Sequence, residues 1–106
     1  METAAGDFNI RIDSGPDAVV AMSGDLDLSA TASFATATDP VFDEDVRTVT
    51  LDMSDVTFLD SSGLGALLNL HARAQAAGVT LTMINAPQQV RRVLELTRLT
   101  ERFNLH

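Results

Sequence analysis

The chain has 106 residues, enough for one folded domain with one core and too few for two. Seven cationic residues against fifteen acidic ones give a formal charge of −8, which argues against binding phosphate backbones or anionic membrane surfaces. There is no cysteine for a disulfide, a thiolate metal site or a nucleophile, and no Tyr or Trp to stack on single-stranded nucleic acid.

Residues 1–6 are expected to be a flexible N-terminus. Met1 to Ile10 carries Glu2 and Asp7 and lacks the basic and apolar regions of a signal peptide. No apolar run approaches the ~20 residues of a membrane span. The expectation is a soluble, cytoplasmic single domain over residues 1–106.

Phe8 to Asp13 alternates apolar and polar residues, the mark of a strand with one buried face. Ser14-Gly15-Pro16-Asp17 is turn chemistry, and Ala18 to Met22 reads as an antiparallel partner strand. After Gly24-Asp25-Leu26-Asp27-Leu28, a modest helix is predicted from Ser29, as N-cap, to about Thr38, with Asp39-Pro40 ending it. Phe42 to Asp45 reads as a solvated acidic connector.

Arg47 to Met53 and Val79 to Ile84 alternate again, and between them lies a long Leu- and Ala-rich helix, Ser61 to Ala77, closed by Gly78. This βαβ unit should pair its strands in parallel. Pro87 to about Leu99 reads as a last helix, with Val90, Val93 and Leu94 as its apolar stripe. Alternating strands argue against a sheet buried on both faces. The fold class is therefore α/β, with a mixed four- to five-stranded sheet and helices packed mainly on one face.

Enzymatic chemistry finds no convincing residue set. Leu59 and Asp60 stand where a nucleophile elbow would have glycine before Ser61 and Ser62 respectively. His71 follows Ser61 by ten residues, about 15 Å along a helix, too far to act as its base, and reads as a surface or half-buried side chain. Gly63-Leu64-Gly65 lacks the third glycine of a dinucleotide loop, since Leu68 occupies it. Two distant histidines without cysteine make a transition-metal site improbable. Neither metal nor cofactor is expected.

What remains is Phe58-Leu59-Asp60-Ser61-Ser62-Gly63-Leu64-Gly65. Asp60 can cap the helix, and Ser61, Ser62 and Gly63 form a small first turn that leaves the backbone approachable. Helix-cap preferences alone would select the same residue types. A phosphate on Ser61 would be tolerated at a helix start, yet would be costly when desolvated beside Asp60 and Asp27 in an interface.

Asp52-x-Ser54 together with Phe58 to Gly65 closely resembles the signature of the STAS domain, specifically of bacterial anti-sigma factor antagonists. Gly24 to Asp27, Pro87 to Leu94 and Leu96-Thr97-Arg98-Leu99 resemble further segments of that family in order and spacing. The resemblance implies a STAS-like fold and a partner-switching protein that is not an enzyme. Its unphosphorylated form would bind an anti-sigma factor with GHKL-type serine kinase activity and free a sigma factor. Phosphorylation of Ser61 (alternatively Ser62) would release the complex, and a PP2C-type phosphatase would reset it. Partner contacts implied by position are Asp27, Asp60, Ser61, Ser62, Gly63 and Leu64, with Gly63 permitting close approach of the partner. Leu67 or Leu68 could join them, although one of these leucine faces must serve the core. The free form is expected to be monomeric. Another STAS class, a constitutive subunit of a lipid-transport ATPase complex or a stressosome-type scaffold, is the alternative. Two departures stand out: Arg98 replaces a frequent glycine, and the chain stops at His106, short of the C-terminal strand or helix of many relatives.

Overall fold

The computed structural model describes residues 2–5, 7–43 and 45–106, with side chains described from Asp7 onward. Five strands, β1 (Glu2–Ala5), β2 (Phe8–Asp13), β3 (Asp17–Leu26), β4 (Thr48–Leu59) and β5 (Thr80–Ile84), lie side by side in chain order. β1, β2 and β3 are antiparallel neighbours, whereas β3, β4 and β5 are parallel. Three helices connect and flank them: α1 (Thr31–Thr38), α2 (Ser61–Ala76) and α3 (Gln88–Leu96). The expected hairpin and βαβ unit are both present. Residues 1–6, expected as a flexible N-terminus, include the strand Glu2–Ala5; Met1 and Gly6 lie outside the described residues.

Strand alternation sets the layering. Ile10, Val20, Leu51 and Met83 are fully buried on one face, while Arg11, Val19 and Thr80 reach solvent on the other or at its margin. Phe34 of α1, Leu67 and Leu70 of α2, and Val90 and Leu94 of α3 join the strand residues in a single core. Val93, expected in the α3 stripe, is only half-buried.

Two boundaries differ from expectation. Ser29 is not an N-cap. Asp27 is, because a 3-10 turn at Leu28–Ala30 precedes α1, and the Asp27 carboxylate accepts from the Ser29 N–H at 3.0 Å and from its hydroxyl at 2.6 Å. β4 runs six residues past Met53, from Ser54 through Leu59. Its polar second half is held by parallel pairing with β3 through two irregular steps, ending at Leu26 opposite Leu59. Beyond α1, the chain continues in a 3-10 turn at Asp39–Asp43 that takes in the first half of the expected acidic connector. Phe42 is half-buried with the Arg73 guanidinium 4.8 Å from its ring centre, rather than solvated, and Glu44 lies outside the described residues.

After α3 the chain returns to the sheet. Phe103 is fully buried, and Leu105 forms a parallel bridge to Met83, with the His106 N–H donating to the Met83 carbonyl at 2.9 Å. Leu105 and His106 thus contact the open side of β5.

Candidate partner-binding site

The motif residues gather where the parallel strands β3 and β4 end. Leu26 and Leu59 are the last paired residues and both are buried, so Asp27 and Asp60 emerge next to each other at the carboxyl edge of the sheet. Carboxyl edges of parallel strands are where open α/β sheets commonly place ligand contacts. Asp27 turns its strand into the 3-10 segment. Asp60, extended at φ −107°, turns the other into α2, and its carboxylate accepts from the Gly63 N–H at 2.9 Å. The helix start therefore caps itself without either serine.

Ser61 is the first residue of α2 and is exposed. Ser62 is half-buried and faces a groove of about 540 Å³ between α1 and α2, with Ala32, Ala35, Gly65 and Ala66 among its walls. Leu64 and Leu68 are half-buried and packed against the core. Leu67 is fully buried, which settles which leucine serves the interior.

Gly63 does not sit at a surface that a partner could approach. It is buried, and a Cβ there would lie 1.9 Å from the carbonyl oxygen of Leu26. Its missing side chain lets the first turn of α2 close onto the end of β3, and so holds Asp60 beside Asp27. The close approach at this glycine is made by the chain itself.

Two apolar residues escaped the sequence reading. Leu28 is 72 % exposed and Phe58 is 48 % exposed, and they flank the motif on β3's continuation and on β4. Leu59 points into the core, so alternation turns Phe58 to the opposite face, where it pairs with Asp25. No pattern signalled it, because β4 loses its alternation after Met53, with Val56 buried between exposed Asp55 and Thr57. Nearby, Thr57 donates to Asp25 at 2.8 Å, and Gln89 of α3 donates to the Thr57 carbonyl.

Asp52 and Ser54 lie away from this edge in role. The Asp52 carboxylate accepts from the Ser54 N–H at 3.1 Å and from the Asn85 side chain at 3.3 Å, tying β4 to the chain leaving β5. Desolvation pushes its pKa up, but the combined hydrogen bonds from the Ser54 backbone and hydroxyl and from Asn85 win, leaving it below the ordinary value. His71 is half-buried and meets the Phe103 ring edge-on at 5.8 Å. Among the described residues no group of three or more His, Asp or Glu could hold a metal ion, and no helix is long and apolar enough to cross a membrane.

Fold and edge together define a small α/β domain that presents a self-capped helix start, with one exposed serine, between two acidic strand ends. The chain belongs to the family described as Mlab, STAS domain, whose model matches residues 10–105. A STAS-domain containing protein of Pseudomonas aeruginosa is 29 % identical over 91 residues, covering 86 % of this chain and 89 % of its own. Among solved structures, an anti-sigma factor antagonist from Mycobacterium paratuberculosis superposes with a TM-score of 0.82 at 24 % identity, over 98 % of this chain and 90 % of that one. The anti-sigma factor antagonist SpoIIAA in its unphosphorylated form does so at 0.77 and 22 %, over 92 % and 85 %. These structural likenesses establish the STAS fold.

Proposed function

We propose that this protein is an anti-sigma factor antagonist working by partner switching in the cytoplasm. Unphosphorylated and monomeric, it binds an anti-sigma factor that is also a GHKL-type serine kinase, and thereby frees a sigma factor. Phosphorylation of Ser61 ends the binding, and a PP2C-type phosphatase restores it. The protein itself carries out no catalysis. The observation that carries this reading is the exposure of Ser61 at a helix start already capped by Asp60. Its hydroxyl is not needed for capping, so it can be modified without dismantling the helix.

The physics of the switch follows from that geometry. A phosphate adds about −1.5 to −2 charges, which a helix N-terminus stabilises by roughly 0.3–1 kcal/mol. Pressed into an interface beside Asp27 and Asp60, the same charge would be desolvated without a cation. An unpaired buried charge costs about 3–5 kcal/mol, or roughly 10² to nearly 10⁴-fold in affinity. Folding is spared and binding is lost. SpoIIAA, with the same fold, has been solved in both an unphosphorylated and a phosphorylated form.

A second reading keeps the surface and drops the switch: a constitutive STAS subunit of a lipid-transport ATPase complex or of a stressosome-type scaffold. The matching family model favours it to the extent that it bears the name Mlab rather than that of an antagonist. Partner capture with wild type, Ser61→Ala and Ser61→Asp separates the two. The switch requires a kinase retained by the first two and lost by the third, with a one-phosphate mass gain abolished by Ser61→Ala. Persistence of that gain in Ser61→Ala but not in Ser62→Ala would move the site to Ser62. Equal retention of one partner by all three variants would establish the constitutive subunit.

A further inference from the structure

The cations of this chain are unevenly placed. All seven are arginines, and four of them, Arg91, Arg92, Arg98 and Arg102, follow Gln88, where only Glu95 and Glu101 oppose them. The two ion pairs among the described residues engage Arg47 with Asp17 and Arg73 with Asp39, and none of these four. In the same stretch Leu96, the last residue of α3, is 79 % exposed, more than any other large apolar side chain. Arg92 and Leu96 lie one helical turn apart, so they share the outward side of α3.

Arg98 adds an independent observation. α2 and α3 end in the same hydrogen-bonded motif. At α2, the Val79 N–H donates to the Ala74 carbonyl at 2.8 Å and the Gly78 N–H to Gln75 at 3.2 Å; at α3, Leu99 donates to Leu94 at 2.8 Å and Arg98 to Glu95 at 3.1 Å. The motif needs a left-handed residue, which is Gly78 at φ 70° in one case and Arg98 at φ 60° in the other. A side chain there is disfavoured by contact of its Cβ with the backbone. The chain thus places a strained, exposed and unpaired arginine where its own α2 uses glycine. Strain of this kind persists chiefly where the side chain serves something else.

We infer that α3 and the turn after it form a second docking surface, made of residues other than those of the Ser61 edge, for an acidic polypeptide segment carrying an apolar side chain. Guanidinium groups match carboxylates in a two-pronged geometry, and Leu96 asks for an apolar neighbour that a phosphate backbone does not offer. Extended polyanions are the poorer fit. Thirteen of the fifteen acids precede Gln88, and screening acts over only about 8 Å at physiological ionic strength, so a duplex or an anionic bilayer would meet them as well. A short segment meets the patch alone.

The test is anisotropy with a labelled synthetic peptide of Glu and Asp bearing two leucines one helical turn apart, titrated with the intact protein. Wild type should bind it with an affinity that falls steeply with salt, and Arg98→Gly and Leu96→Ser should each weaken it by about tenfold, the size of a central interface contact. Arg11→Ala, on the open sheet face, should not change it. Arg98→Gly should unfold at a temperature no lower than wild type, which separates lost docking from lost structure. No peptide binding, wild-type affinity in both patch variants, or preference for phosphatidylserine vesicles or a short DNA duplex would overturn the inference.

Discussion

Gly63 and Gly65 stand two residues apart in the first turns of α2, and their surroundings are opposite. A Cβ on Gly63 would collide with the Leu26 carbonyl at 1.9 Å, whereas one on Gly65 would meet nothing within 4 Å. Gly63→Ala should therefore destabilise the domain by about 1–3 kcal/mol, as overpacking does, even though alanine favours helix. Gly65→Ala should stabilise it by about 0.5–1 kcal/mol, because a helical glycine with free space gains from added helix propensity. Urea unfolding of both variants checks the pair, and a loss of stability in Gly65→Ala would contradict this account of the turn. The capping residues allow a similar contrast. Asp60→Ala should cost about 1 kcal/mol for the lost bond to Gly63, and Ser61→Ala very little, since Ser61 caps nothing. Circular dichroism melts distinguish them.

At the scale of elements, the seam between β4 and β5 carries a pH dependence. Asp52 is held below its ordinary pKa by the Ser54 and Asn85 hydrogen bonds, which outweigh desolvation. A carboxylate with a depressed folded-state pKa contributes stability above its unfolded pKa, and that contribution is lost as pH falls through the folded value. Wild type should exceed Asp52→Asn in stability near neutral pH, and the gap should close as pH drops below about 4, the unperturbed carboxylate range. Urea midpoints measured across that range check it. A gap that widens toward acid would reverse the assignment.

The same scale shows what could be read in advance. β2, β5 and the first half of β4 were legible because their apolar residues recur every second position, and α2 because a Leu-rich run ends at Gly78. The second half of β4 was not, since Ser54, Asp55 and Thr57 are held in a strand by β3 rather than by their own pattern. The start of α1 was misplaced because Ser29 is as good a cap by composition as Asp27, and only the intervening 3-10 turn decides between them. At the motif, the serine, the capping aspartate and its neighbour Asp27 were legible. The inward role of Gly63 was not, because it depends on a carbonyl thirty-seven residues earlier in the chain, at Leu26.

On the scale of the whole molecule, the C-terminal segment decides whether the site is a stable platform. Phe103 has no strand or helix pattern around it, yet it is fully buried, meets His71 of α2, and its carbonyl accepts from the Met83 N–H at 3.1 Å. This one residue thus joins the tail to α2 through its ring and to β5 through its backbone carbonyl, the helix that carries Ser61 and the strand that follows it. Truncating such a buried ring costs about 3–5 kcal/mol, and domains of this size hold only about 5–15 kcal/mol in all. Phe103→Ala should therefore lower the thermal midpoint by at least about 10 °C in a single cooperative transition. His71→Ala should cost far less, since an aromatic pair adds only about 0.5–1.5 kcal/mol beyond its buried area. If Phe103→Ala instead released the last residues alone, protease would trim the tail while α2 amides stayed protected from hydrogen exchange, and the tail would be a cover rather than part of the core. A cooperative loss would mean that a substitution far in sequence from Ser61 weakens the proposed partner binding by removing the folded helix start, without touching a proposed contact residue. Affinity per folded molecule would then be unchanged, which separates this effect from the charge effect proposed for a phosphate on Ser61.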